Sequence, residues 1–453
     1  MTQSNGMSSG TSASRGVPLM FSVVMGCTIQ GTGNGEQGGK RDADVSESSR
    51  PYDVVLYGAS GFTGRQTAAY FAAHAPAVLR WAIAGRSRAR LEVVRASLGA
   101  VGSSVGLFVA DGGDQPALDR MVASTRVLLS TAGPFATYGN GVVDACVRLG
   151  TDYVDISGET AWVRDLIDRH HADAARRGTR IVPFCGFDSV PADLGTLLVA
   201  RELQQRYGTP CTGARAYFRM AGGLNGGTIA TAIQWQELGL TRRMADPFLL
   251  NPPGSWSPAV AERSGDVRGL QYDADMDAWV GPSLVALTDT RVVRRSAALF
   301  AEWGESYGAE FAFQEYAKFD RPFARAKAMA MSLALAAING ALARRWSRQL
   351  LHQLAPAPGS GPSERSMDHG WFRSEHVATG LGGAQVRGSI FHRGDPSNRA
   401  TVRFVCESAL CLALERDALP GAPGRGGVLT PATALGAVLV RRLQAAGVEI
   451  GVR

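Results

Sequence analysis

The chain of 453 residues lacks an uninterrupted apolar run of the ~20 residues that a membrane-crossing helix requires. Cysteine is sparse, with six at Cys27, Cys146, Cys185, Cys211, Cys406 and Cys411. Their spacing matches no metal site and no disulfide framework, which favours a reducing, cytoplasmic compartment. Cys146 and Cys185 lie in apolar runs and read as core. None of the seven histidines falls in a motif; His170-His171 sits in a charged helical setting and reads as solvated. No metal is expected. The formal charge of +7 comes mostly from single arginines, without the aromatic-interleaved basic stripe of a nucleic-acid reader. Nucleic acid is therefore not an expected partner, whereas a phosphorylated cofactor and an anionic lipid surface both suit the charge. No internal repeat is present.

What is present is concentrated in Tyr52-Asp53-Val54-Val55-Leu56-Tyr57-Gly58-Ala59-Ser60-Gly61-Phe62-Thr63-Gly64. An apolar strand runs into a glycine turn and then an apolar-periodic helix. Such a turn gathers backbone N–H groups and a helix N-terminus where a pyrophosphate can sit. Gly58 makes the tight turn, Gly61 lets the backbone approach the phosphates, and Gly64 lets helix and strand pack closely. Ser60 and Thr63 add hydroxyls, and Phe62 opens the helix. The alternative is a turn that only joins strand to helix.

Residues 1–50 are rich in Ser, Gly and Thr, then charged, and read as a disordered arm. Its apolar stretch from Val17 to Cys27 has only Arg15 before it, too little for a lipoprotein-like signal peptide. From Tyr52 to Tyr207 short apolar strands alternate with helices, over Val54–Tyr57, Trp81–Ala84, Val105–Ala110, Val127–Thr131, Tyr153–Ile156 and Ile181–Phe184. That pattern predicts an α/β, Rossmann-type doubly wound parallel sheet over 51–208, with ligands at the carboxyl ends of its strands. Residues 209–427 read as a second α+β domain with an antiparallel sheet, facing substrate or lipid. In it Ala214–Met220 and Phe311–Ala317 are strands, and Val386–His392 and Thr401–Glu407 form a hairpin about a turn-rich loop at 393–398. Ala355–Pro362 reads as a loop. Over 428–453, Thr430-Pro431 starts a helix that packs back on the first domain.

The end of the second strand carries Gly85-Arg86-Ser87 in place of the acid that would bind an NAD ribose. A carboxylate would repel a 2′-phosphate, whereas an arginine grips it with charge-assisted hydrogen bonds. NADP is therefore expected, held by Arg86 and Ser87; stacking on adenine or a plain surface charge is the alternative for Arg86. Asp111, after the third strand, lies near the adenine or caps its loop. Ala132, Gly133, Pro134 and Phe135 follow the fourth strand, where the nicotinamide end should reach, and Gly133 to Phe135 offer backbone N–H groups except at Pro134.

These runs, with Asp155-Ile156-Ser157-Gly158-Glu159, Cys185-Gly186-Phe187-Asp188-Ser189-Val190-Pro191, Gly226-Gly227-Thr228 and Gly427-Val428-Leu429-Thr430-Pro431, resemble the saccharopine dehydrogenase-like oxidoreductases. The similarity spans about residues 52–447 and is greatest to the bacterial branch that includes the mycobacterial trans-acting enoyl reductases. It implies an NADP-binding Rossmann domain and a lipid-related role: reduction of a C=C bond on a lipid or polyketide intermediate, carried by a separate synthase, in complex lipid or glycolipid biosynthesis. Saccharopine-type amino-acid dehydrogenation and a non-catalytic NADP-binding sensor or scaffold at a membrane are the alternatives.

Enoyl reduction needs a proton donor as well as hydride. Tyr138 is the nearest phenol to the fourth-strand loop, with a packing role as its alternative. Glu159 and Asp188 either orient substrate or cap helices. Finally, an apolar helix is expected over 324–352. Its charge-free stretch Ala328–Ala343 spans roughly 24 Å at 1.5 Å per residue, short of the hydrocarbon core. With Arg325, Lys327, Arg344, Arg345 and Arg348 at its ends it reads as a peripheral contact with the inner face of the plasma membrane, or as a packing helix.

Overall fold

The computed structural model describes residues 50–222, 239–344 and 361–453. The arm, Gly226-Gly227-Thr228, the expected helix beyond Arg344 and most of the 355–362 loop lie outside these residues. Arg50, counted above in the arm, is buried, and its guanidinium donates to Thr125 O, Leu149 O and Thr151 Oγ1.

Fourteen strands are described: β1 Tyr52–Tyr57, β2 Trp81–Gly85, β3 Gly106–Val109, β4 Thr125–Ser130, β5 Asp152–Asp155, β6 Arg180–Val182, β7 Cys211–Ala221, β8 Gln271–Asp273, β9 Ala278–Gly281, β10 Ala312–Phe319, β11 Trp371–Gly380, β12 Gln385–Arg393, β13 Gly427–Val428 and β14 Glu449–Val452. The first helices are α1 Phe62–His74, α2 Arg88–Ser97, α3 Gln115–Ala123, α4 Phe135–Tyr138, α5 Asn140–Leu149, α6 Thr160–Arg177 and α7 Val190–Tyr207.

One sheet has the order β13-β6-β5-β4-β1-β2-β3, every pair parallel. Its central strands β1, β2 and β4 are largely buried on both faces because helices cover both. Alternate residues of β1 serve opposite cores: Val54 and Leu56 face Phe71 and Ile83, while Val55 and Tyr57 face Leu118 and Val143. The strand order reverses between β1 and β4, which opens a crevice at their carboxyl ends. The second sheet, β14-β12-β11-β7-β10-β9-β8, is antiparallel except between β7 and β10.

The expected hairpin is wrong in one arm. β12 pairs with β11 before it, and Thr401–Leu414 is a helix. Its β-branched opening imitates a strand, but the largely buried segment continues for 14 residues, too long for one strand. This helix lies on β4, β5, β1 and α1, so a segment from late in the chain covers one face of the first sheet. The C-terminus follows expectation locally: Thr430 and Thr433 form a capping box with Pro431 in the first turn. The helix Gly436–Ala445 then packs on Thr401–Leu414 and α7.

Candidate functional site

The crevice has an exposed end over β2 and β3 and an enclosed end over β5 and β6. Between them is the β1–α1 turn. Gly58 has φ +89°, which only glycine adopts easily, and a Cβ there would come 2.8 Å from Ala132 N. The turn is thus pressed against the loop after β4. At Gly64 a Cβ would stand 2.2 Å from Gly58 O, so helix and turn pack without room for a side chain. At Gly61 it would meet only Gly58 O, at 3.3 Å, leaving open space above the backbone. No side chain caps α1 and its first turn holds no acid, so the positive end of the helix is left for an anion. Ser60 and Thr63 are half-buried at this edge, and the half-buried Phe62 packs its ring against Gly361.

Arg86 is exposed and makes no hydrogen bond or ion pair among the described residues. Ser87 caps α2 through its oxygen, accepting from Arg90 N, which leaves its O–H to donate. Asp111 caps its own turn by accepting from Gly113 N at 3.0 Å. Tyr138 is exposed and stands over Gly112. Tyr57, Asp111, Arg86 and Tyr138 lie within electrostatic reach: burial first, then Asp111, pushes the Tyr57 hydroxyl up to about 12, with Arg86 opposing. Tyr138, expected as the proton donor, therefore belongs to the end of the crevice that holds Arg86.

The enclosed end holds the acids. Glu159 is buried and accepts from Phe135 N and Ala136 N, both at 2.8 Å. It caps α4 from the neighbouring loop, so these two N–H groups are not free for a substrate oxygen, contrary to the expectation for the Gly133–Phe135 loop. Phe135 is buried against Trp162, ring centroids 5.7 Å apart, while Ala132 and Pro134 are half-buried and Gly133 is exposed. Asp155 accepts from Ser157 N, Phe184 N and Tyr153 Oη–H, and burial pushes its carboxyl up to about 7.

Asp188 is solvent-exposed at the carboxyl end of β6, and the protein mass around it pushes its carboxyl up to about 6. Its Oδ2 lies 3.5 Å from where a Cβ on Gly158 would stand. The helix Ala286–Glu302 closes this end: Thr288 Oγ1 donates to Gly158 O at 3.2 Å. Asp289 follows, facing Glu315 of β10. Reading the sequence missed this pair. The available signal was Glu315 sharing the face of Phe311 and Phe313 in an alternating strand. The histidine expectation also fails: His170 is buried, and His171 Nδ1 accepts from Val428 N at 3.1 Å.

The model for the saccharopine dehydrogenase NADP-binding domain matches residues 54–182. A trans-acting enoyl reductase of Mycobacterium leprae is 35% identical over 426 residues, 90% of this chain and 99% of its own. One of Mycobacterium tuberculosis is 34% identical over 429 residues, again 90% and 99%. The chain belongs to the saccharopine dehydrogenase-like oxidoreductases, in the branch of the trans-acting enoyl reductases. This family member is an NADP-dependent oxidoreductase. An apo saccharopine dehydrogenase (L-Glu forming) of Saccharomyces cerevisiae is 14% identical and covers 89% of this chain and 99% of its own, at a TM-score of 0.49. The uncapped α1 terminus and the space above Gly61 suit the cofactor's pyrophosphate. Among the described residues no group of His, Cys, Asp or Glu is arranged to hold a metal ion, and no helix is long and apolar enough to cross a membrane.

Proposed function

We propose that the protein reduces the C=C bond of a 2-enoyl thioester on a lipid or polyketide intermediate, using NADPH, within complex lipid or glycolipid assembly in the cytoplasm. The observation that carries this reading is the match, over nine-tenths of the chain, to relatives named trans-acting enoyl reductases. Gly58, Ser60, Gly61, Phe62, Thr63 and Gly64 hold the pyrophosphate; Arg86 and Ser87 hold the 2′-phosphate; Asp111 and Tyr138 flank the adenosine. Ala132 to Phe135 border the nicotinamide, with α4 fixed by Glu159. When bound, the reduced nicotinamide supplies hydride; the chain's residues orient the alkene, exclude water and supply the proton.

The substrate arrives linked to a carrier. The helix Ala324–Ala343, which exposes Met329, Leu333 and Ile338, rests on a lipid-bearing surface at the membrane's inner face. The test is NADPH oxidation with 2-enoyl pantetheine thioesters of graded chain length. Turnover rising with chain length is expected; turnover on saccharopine and none on enoyl thioesters would sink the reading.

A further inference from the structure

The enclosed end of the crevice holds more acid than its structure needs. Asp289 is fully buried and Glu315 is 1% exposed; the two carboxyls lie within hydrogen-bond reach of each other, and no donor outside the pair is bonded to their four oxygens. The Ser283 hydroxyl lies beside Glu315 without a formed bond. Three arginines share the helix with Asp289, yet each is engaged elsewhere. Arg291 pairs with Asp266, Arg294 donates to Pro247 O and Phe313 O, and Arg295 donates to Leu250 O and Val428 O.

Two carboxylates facing each other in a dry interior cannot both ionise. The pair therefore holds at least one proton at neutral pH. Burial pushes Glu315 up to about 7, and burial, then Glu315, Asp188 and Asp193, holds Asp289 well above the ordinary range. Asp193 is itself occupied, accepting from Ser296 Oγ–H and Ala432 N. Asp188 is different. It has solvent contact and no hydrogen-bond donor, and it stands beside Gly158 at the carboxyl ends of β5 and β6, within electrostatic reach of the pair. Nicotinamide and substrate meet at that end in a doubly wound sheet.

We propose that Asp188 is the acid that protonates the substrate's α carbon, and that the Asp289–Glu315 pair behind it holds the replacement proton. This rests on the enoyl-reduction reading. Hydride arriving at the β carbon from the reduced nicotinamide pushes the C=C π pair onto the carbonyl oxygen as an enolate. Collapse of the enolate forms the Cα–H bond with the proton leaving Asp188. The Asp188 carboxylate regains a proton from Asp289–Glu315, and between turnovers the pair is recharged from water by way of the solvent-exposed Asp188. Asp188 is a catalytic residue in this scheme; Asp289 and Glu315 are positioning residues that act through it.

The full-length protein would be assayed with NADPH and 2-enoyl pantetheine thioesters in H2O and D2O. Asp188→Asn should lower kcat by about 100-fold or more, leaving the NADPH Kd within about twofold of the parent. Asp188→Glu should restore part of the rate. Asp289→Asn should slow turnover less and enlarge the solvent isotope effect. Infrared spectroscopy at pH 7 should detect a neutral buried carboxyl that the double change Asp289→Asn with Glu315→Gln removes. A parent that turns over beside an equally fast Asp188→Asn overturns the acid role alone; absence of the infrared band overturns the reservoir. A parent that binds NADPH but reduces no enoyl thioester overturns the enoyl reading, and the acid role with it.

Discussion

Two helices of the second half invert the usual relation between charge and burial. Ala286–Glu302 carries three arginines and an aspartate, and Arg291, Arg294, Arg295 and Asp289 are all buried. Ala324–Ala343 has no charge after Lys327, and it leaves Met329, Leu333 and Ile338 at least half exposed. The first is possible because its cations have backbone carbonyls or a carboxylate as acceptors, so their desolvation is offset by charge-assisted hydrogen bonds. The second packs on β9 and β10, burying Ala324, Ala328 and Leu342. Composition alone thus misjudges both. Partner groups decide what a charged helix can bury, and an apolar face left in water points to a surface outside the chain.

The largest effect should come from removing a buried cation. Arg295→Ala deletes the donors to Leu250 O and Val428 O, at 2.6 and 2.5 Å, and leaves two orphaned carbonyls and a cavity. A loss of about 3–5 kcal/mol is expected in urea unfolding. A loss under about 1 kcal/mol would mean that the buried arginines of this helix are not what holds it in place.

The acids of the same helix should show in the pH dependence. Glu315 has its folded carboxyl raised from 4.5 to about 7 by burial. An acid raised in this way binds its proton more tightly when folded, so its contribution to stability is full at low pH and is lost as pH climbs through about 7. Between pH 5 and 8 the parent should lose up to about 3 kcal/mol relative to Glu315→Gln. His171 and His392, held near 4 chiefly by burial, act in the opposite direction, but they are common to both proteins and cancel in the difference. A difference that stays flat with pH would show that the pair carries no shifted proton.

At the exposed end of the crevice the effect should be smaller and confined to the cofactor. Arg86→Ala should weaken NADPH binding by about 10- to 100-fold, or about 1.4–2.7 kcal/mol, and leave NADH unchanged. Equal NADPH affinity in mutant and parent would remove Arg86 from the 2′-phosphate.

The two ends of the crevice also differ in how far they could be read from the chain. The exposed end is written in local signals: an apolar strand, a glycine with positive φ, and Arg86 where an acid would otherwise stand. Each needs only neighbours in sequence. The six strands from β1 to β6 were legible for the same reason, as short apolar runs punctuated by glycine and proline. The enclosed end is assembled from distant segments. Glu159 becomes the cap of α4 only because β4 and β5 are adjacent. Asp289 carries no local signal and joins the site only because its helix closes on Gly158. Thr401–Leu414 failed as a strand because burial on every side removes the periodicity that marks a helix.

The exposed helix gives the sharpest test of the opening contrast, because there stability and function should separate. Leu333 is 67% exposed, so Leu333→Glu breaks little inside the fold, and the unfolding free energy should stay within about 0.5 kcal/mol of the parent. The same change puts a carboxylate on the face proposed to meet lipid, between Arg325 and Lys327 at one end and Arg344 at the other. Flotation with anionic liposomes should therefore fall from clear recovery to background, and more so at low salt, where the flanking cations contribute most. If Leu333→Glu costs several kcal/mol, the face is internal packing and the two helices are not opposites. If it leaves both stability and flotation untouched, the apolar surface does not meet lipid, and a protein partner, such as the proposed substrate carrier, becomes the next candidate to dock there.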